Sequence, residues 1–297
     1  MSPAIMKSEL QRILGAYILC IGKRSMPQVL THLWSTFIAL LVASKGVPPL
    51  PSAIKVLVTS YSMTLSVFLL NDIIDFEVDR INELDRPIAQ GKVSRGEAMS
   101  LVILLSIVSI ILSLSLNLGA FLLCVTFLAL GLTYSAPHIY LKGRSFMSKP
   151  LISATGIAIT SLIGGAALGS LSPQVLFTGF LFFVTLFGAT PLMDLKDIKG
   201  DRESGYKTLA LMRGPSFVIG SAIMTFASLA VITLLGYPHL GFNVLTPMLI
   251  TVSVLAIAWL IFSLRNRWQE PIYFQKTIRR IMVTNLLLYF SLFIGVF

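Results

Sequence analysis

The chain has 297 residues, 55% of them hydrophobic and only 12% charged, with a mean hydropathy of +0.85. Soluble domains carry about 25% charged residues, so this composition excludes a water-facing globule and specifies an all-α, polytopic membrane protein. The net charge of +10 would suit nucleic acid in magnitude, but its placement along the chain argues against that partner.

In chain order, the apolar stretch 13–22 is too short to cross a bilayer, which takes about 20 residues. It is flanked by Lys7, Arg12, Lys23 and Arg24 and is followed by no small-residue cleavage site, so segment 1–26 is expected to lie in the membrane interface. Two spans follow at roughly 27–44 and 52–79, separated by Lys45-Gly46-Val47-Pro48-Pro49. Three blocks, 98–141, 150–193 and 214–264, contain no Asp, Glu, Lys or Arg. Each is long enough for two passes and carries turn residues near its middle: Asn117-Leu118-Gly119, Gly169 through Pro173, and Gly236 through Gly241. Backbone groups in lipid must be satisfied internally, so these blocks are expected to form helical hairpins. With a last span over 277–297, the chain is expected to have nine.

Nine spans put alternate connections on opposite sides, and 21 of the 23 Lys and Arg then fall on one side. Only Lys45 and Lys55 fall on the other. By the positive-inside rule the N-terminus is cytoplasmic and the C-terminus outside. The basic excess is therefore mainly an orientation signal.

The acids carry more information. Ten of the thirteen lie in two windows, both cytoplasmic in this topology: Asp72, Asp75, Glu77, Asp79, Glu83 and Asp85, then Asp194, Asp197, Asp201 and Glu203. Asp72, Asp75 and Asp79 share the spacing D-x-x-D-x-x-x-D with Asp194, Asp197 and Asp201. On a continuous helix these positions, with Asn71 beside them, make one oxygen-rich stripe. Stacked carboxylates repel, and a bound cation relieves that repulsion. Oxygen ligands without clustered His or Cys favour Mg²⁺ or Mn²⁺ over zinc. His32, His138 and His239 are scattered and read as structural, while Cys20 and Cys124 show no paired spacing. Arg80, Arg86, Lys92 and Arg95 follow the first ladder, and Lys196, Lys199, Arg202 and Lys207 surround the second. Lys142 and Arg144 come from the connection between them. Acids for metal and bases for anions together describe a diphosphate site.

These residues resemble the UbiA superfamily of intramembrane prenyltransferases. The resemblance rests on Asn71-Asp72…Asp75…Asp79-Arg80 with Arg86-Pro87, on Asp194…Asp197…Gly200-Asp201 with Gly205 and Thr208-Leu209, and on Tyr134-Ser135 with Lys142. It implies one transmembrane domain over 1–297, built as a ring of nine helices around a central cavity, with cytoplasmic loops 80–97 and 194–214 capping the site. It also implies two Mg²⁺ ions, with Mn²⁺ as an alternative, bridging the Asp motifs to a polyprenyl diphosphate donor. Asn71, Asp75 and Asp79 would hold one metal, with Asp72 in the motif, and Asp194, Asp197 and Asp201 the other. Arg80, Arg86, Tyr134 and Lys142 would contact diphosphate. The allylic C–O bond would ionise in an apolar chamber, with Phe68, Phe76, Tyr61 and Tyr134 available to face the cation.

The expected acceptor is lipophilic and aromatic, a quinone precursor. The alternatives are a glycerol-phosphate ether lipid, as for digeranylgeranylglyceryl phosphate synthases, and a chlorin or haem. Ala189-Thr190-Pro191 stands where ether-lipid enzymes often carry Arg-Glu. Two remoter readings are a CDP-alcohol phosphotransferase, whose D-G-x-x-A-R string is missing, and a divalent-cation carrier, which would place acids near the bilayer midplane. Gly165-x-x-x-Gly169 is a candidate for close helix contact but specifies no oligomer.

Overall fold

The computed structural model describes residues 3–24, 28–81, 84–136, 145–203 and 207–297, and among them every regular element is a helix. The first helix, α1 (Pro3–Arg24), is one continuous element that includes the 13–22 stretch. It docks against α3 (Leu50–Ile74) and α5 (Arg95–Leu116), burying Ala16 and Cys20 while Leu10, Leu14 and Ile18 stay exposed. Tyr17 shares a 2.8 Å hydrogen bond with Ser100, and Lys23 reaches Asp85 at 2.7 Å.

The remaining long helices are α2 (Leu30–Ser44), α6 (Leu118–Ser135), α7 (Ser148–Ala166), α8 (Pro173–Met193), α11 (Pro215–Leu240), α12 (Leu245–Ser263) and α13 (Pro271–Ile294). Their ends have local causes. Ser94 and Glu97 form a capping box that starts α5, and Asn117 stops α5 while its Oδ1 caps α6 through the Ala120 N–H. Proline at the first helical position starts α8, α11 and α13, and Gly241, at φ +76°, stops α11.

Successive packing closes a ring: α3, α5, α6, α7, α8, α11, α12, α13, α2 and back to α3. Seven of its members are long and apolar enough to cross a membrane, namely α3, α5, α6, α8, α11, α12 and α13. The other two ring helices are α2, apolar but only 15 residues long, and the 19-residue α7, so among the described residues seven of the nine expected spans meet that length and composition. The chain is an integral membrane protein.

Besides its ring neighbours α13 and α3, α2 also packs on α7 and α8. Ile38 and Val42 join a core with α8, α11, α12 and α13, whereas Leu40 joins one with α3, α6 and α7. At the α2–α7 crossing a Cβ on Gly164 would lie 2.2 Å from the Thr36 carbonyl oxygen, so only glycine fits. The near approach lets a buried hydroxyl knot form. Thr36 Oγ1 donates to the Thr160 carbonyl at 2.8 Å and meets Ser60 at 2.7 Å, while Ser35 meets the Thr160 hydroxyl at 2.9 Å. His32 Nδ1 joins at 3.1 Å from Thr160 Oγ1, the structural role expected for it. Its ring stands edge-on to Phe68 and Phe127.

Three expectations need correction. The Gly165–Gly169 pair is not a helix face, because α7 ends at Ala166 and Gly169 sits in a turn at φ +70°. A Cβ on Gly165 would instead strike Val175 of α8 at 2.3 Å, so the glycine serves packing within this chain. The last helix starts at Pro271, not near 277, and takes Lys276, Arg279 and Arg280 into its first turns. Finally, neither acid ladder lies on one unbroken helix.

Candidate active site

The first ladder breaks at Asp75. Helix α3 ends at Ile74, Asp75 bends at φ −81° and ψ 6°, and α4 (Phe76–Ile81) resumes. The chain keeps i to i+4 bonding through the bend, from Asp75 N–H to Asn71 C=O at 2.8 Å and from Asp79 N–H to Asp75 C=O at 2.9 Å. The result is two paired faces in place of one stripe. Asn71 Nδ2 donates to Asp75 Oδ2 at 2.9 Å, while Arg86 Nη1 binds both Asp72 Oδ1, at 2.9 Å, and Asp79 Oδ2. All three aspartates are buried, at 2%, 8% and 4% exposure for Asp72, Asp75 and Asp79.

The second ladder follows Pro191, which lacks an N–H to continue the α8 bonding pattern. A 3₁₀ turn covers Asp194–Asp197, followed by α9 (Ile198–Glu203) and, after Thr208, α10 (Leu209–Arg213). Asp194 is buried, Asp201 half-buried and Asp197 exposed. Lys149, from the first turn of α7, holds Asp194 Oδ1. Lys196 stands 3.9 Å from Asp197.

Both ladders lie at the same end of the bundle, where the end of α6 contacts the first and the start of α7 the second. Ser135, the last residue of α6, donates to Asn71 Oδ1 at 3.1 Å, and Lys149 opens α7 on Asp194. Tyr134 is half-buried beside Ser135. Lys142, together with Arg144, His138 and Gly205, lies outside the described residues. Arg80 is exposed on α4. Phe76 cannot offer both faces to a reacting cation, because the Arg95 guanidinium lies 4.0 Å over its ring and bridges to Glu77 at 3.1 Å.

Among the described residues no three His, Cys, Asp or Glu side chains are gathered tightly enough to hold one ion. The electrostatics nevertheless call for cations. Of the four buried carboxylates, Asp72, Asp75 and Asp194 sit at the C-terminal ends of α3 and α8, where the helix dipole is itself negative, and Asp79 lies in α4. Burying such charge is costly unless it is paired. Arg86, Asn71 and Lys149 supply that pairing here. The donor set, carboxylate and carboxamide oxygen, suits a hard divalent cation.

Sequence reasoning counted Lys149 only among the orientation-setting bases. Its one distinguishing mark is its position, directly before Pro150 at the head of an uncharged block.

The UbiA prenyltransferase family profile matches residues 32–282. The chain belongs to this family. As a family member it is an enzyme, a prenyltransferase. It is 31% identical over 217 residues to the digeranylgeranylglyceryl phosphate synthase of Sulfurisphaera tokodaii, covering 71% of this chain and 75% of that one. Its fold matches a solved structure concerning digeranylgeranylglyceryl phosphate synthase in membranes, with TM-score 0.76 over 96% of this chain and 98% of that one at 20% identity. It also matches a UbiA homologue from Archaeoglobus fulgidus bound to GPP and Mg²⁺, with TM-score 0.70 over 91% and 99% of the two chains at 17% identity. At these identities the two structures establish the fold alone.

Proposed function

We propose that this prenyltransferase moves a polyprenyl group from its diphosphate to a glycerol-phosphate ether lipid, as a digeranylgeranylglyceryl phosphate synthase does. The observation that carries this reading is the 31% identity to such a synthase over 71% of the chain. It favours the ether-lipid alternative over the aromatic acceptor expected from sequence. That expectation leaned on Ala189-Thr190-Pro191, three residues whose local role accounts for them without reference to an acceptor. Thr190 donates its hydroxyl to the Leu186 carbonyl at 2.7 Å, and Pro191, inside the last turn of α8, removes one backbone donor there. Similarity along most of the chain outweighs so short a segment.

The chemistry assigned to the ladders follows from their charge. Asn71, Asp75 and Asp79 on one side, and Asp194, Asp197 and Asp201 on the other, would hold divalent metal, with Asp72 supporting the first group. The Mg²⁺ and GPP bound by the A. fulgidus homologue support this assignment. Bound metal supplies Lewis-acid neutralisation of the departing diphosphate. Arg80, Arg86, Tyr134 and Lys142 would contact the same diphosphate and hold it in line. The buried, largely apolar helix walls below the ladders exclude water while the allylic carbon is electron-poor. The acceptor hydroxyl then attacks that carbon and passes its proton to a nearby base.

Segments 80–97 and 194–214 would cap this end of the bundle. The distribution of Lys and Arg supports placing it, with the N-terminus, on the cytoplasmic side.

The test is an acceptor panel assayed on the detergent-solubilised full chain with geranylgeranyl diphosphate and Mg²⁺, products being identified by mass. Prenylated geranylgeranylglyceryl phosphate is the expected product. Prenylation of a naphthoate or phenolic acid alone would overturn the acceptor assignment.

A further inference from the structure

The two ladders share a feature that neither acid motif requires. In each, the most buried carboxylate is neutralised by a base from outside the acid ladder. Arg86 comes from the connection after α4 and serves Asp72 and Asp79. Lys149 comes from α7, 45 positions before its partner Asp194. The two ends of the Lys149 pair differ sharply in surroundings, since the carboxylate side chain is 3% exposed and the lysine side chain 42%. The acid is fixed in the packed end of α8, whereas the ammonium sits on a flexible four-carbon stem that is open to water on one side.

We infer that Lys149 is a diphosphate-binding residue held in reserve: it neutralises Asp194 in the free enzyme and moves to a diphosphate oxygen when divalent metal takes its place. This rests on the prenyl-transfer reading of the site. The physical reason is charge balance. Asp194 cannot remain buried without a cation. A metal ion arriving at that carboxylate carries more charge than an ammonium and competes for the same oxygen. The displaced Lys149 then stands at the mouth of a site receiving an anion, with its α7 backbone anchored and its stem free to turn. Without the diphosphate, Lys149 opposes metal entry. With diphosphate present, it favours binding. The two effects have opposite signs, and a purely structural lysine would not produce them.

The experiment uses the detergent-solubilised full chain and three variants, Lys149→Gln, Lys149→Met and Lys149→Arg. Titration calorimetry with Mg²⁺ alone is expected to show affinity raised at least about fivefold in the Gln and Met variants. Pyrophosphate binding at saturating Mg²⁺ is expected to weaken at least about fivefold in the same proteins, and Lys149→Arg to restore it. In turnover the donor KM rises more than kcat falls. If the neutral variants do not fold, the wild type decides the matter through amine acylation at Lys149 followed by mass spectrometry. Reactivity is expected to rise with Mg²⁺ alone and to fall when pyrophosphate is added. Weaker binding of both ligands, or no change in either, overturns the inference and returns Lys149 to a structural role. Wild-type protein that binds neither Mg²⁺ nor pyrophosphate overturns the underlying reading of the site instead.

Discussion

The two ladders have the same spacing and different construction. In the first, a bend at Asp75 divides the acids into two faces, all three are buried, and their partners Asn71 and Arg86 lie within a few turns of chain. In the second, only Asp194 is buried, Asp197 faces water, and the stabilising base comes from a different helix. A repeat in sequence has therefore become one closed, locally satisfied acid cluster and one open cluster that depends on tertiary assembly. Spacing fixes which residue types are available. Burial fixes how much each depends on its partner.

The largest expected effect would erase this contrast. Asp75→Ala and Asp197→Ala are each expected to lower kcat by on the order of 10³-fold, as for loss of a group that stabilises developing charge. Retained turnover in Asp197→Ala alone would mean that the open ladder is dispensable and the contrast functional. The next sharpens it. Arg86→Met strands two buried carboxylates and should destabilise the protein by about 3–5 kcal/mol, read as a lower Tm in detergent. Lys149→Met strands only one buried carboxylate and should lower Tm less. The reverse order would show that the second ladder is the rigid one.

A smaller effect is expected at the seam between the halves. Gly164→Ala places a methyl against the Thr36 backbone and should cost about 1–3 kcal/mol, as overpacking does. Thermal unfolding measures it, and an unchanged Tm would mean that α2 and α7 separate freely. The smallest concerns the anchor of α1 on the first ladder's half. Lys23 holds the Asp85 carboxyl below its ordinary pKa, aided by Gln90. A depressed carboxylate contributes stability above its unfolded pKa and loses it as pH falls through the lower folded value. Protease cleavage near Arg24 should thus stay slow at neutral pH and quicken only below about pH 4. Lys23→Ala should quicken it at neutral pH.

Much of this was readable from the chain. Uncharged blocks broken by Asn117, Gly169 and Gly241 became hairpins because lipid leaves the backbone no other way to bond. The acid windows marked the site because the rest of the chain is nearly free of carboxylate. The bend at Asp75 was invisible, since i, i+3 and i+7 spacing is the same in a straight helix and in one that kinks while keeping its i to i+4 bonds. Lys149 was invisible because a base at a helix end looks the same whether it sets orientation or reaches a buried acid on the next helix. The start of α13 was misplaced because Lys276, Arg279 and Arg280 read as loop charges, although a helix can carry them before it enters lipid.

The hydroxyl knot on α2 has a consequence for synthesis. With 15 residues, α2 is about 22 Å long, short of the roughly 30 Å hydrocarbon thickness. The hydroxyls of Ser35 and Thr36 bond to Thr160, 125 and 124 positions later in the chain. When α2 is made that partner does not yet exist, and the two hydroxyls have only the His32 carbonyl of their own helix, at 2.7 and 3.0 Å, and then, for Thr36, Ser60 on α3. The hydroxyl contacts of the first ring helix are thus completed only after α7 has been made. Until then that face of α2 has only its own backbone and α3 to bond to.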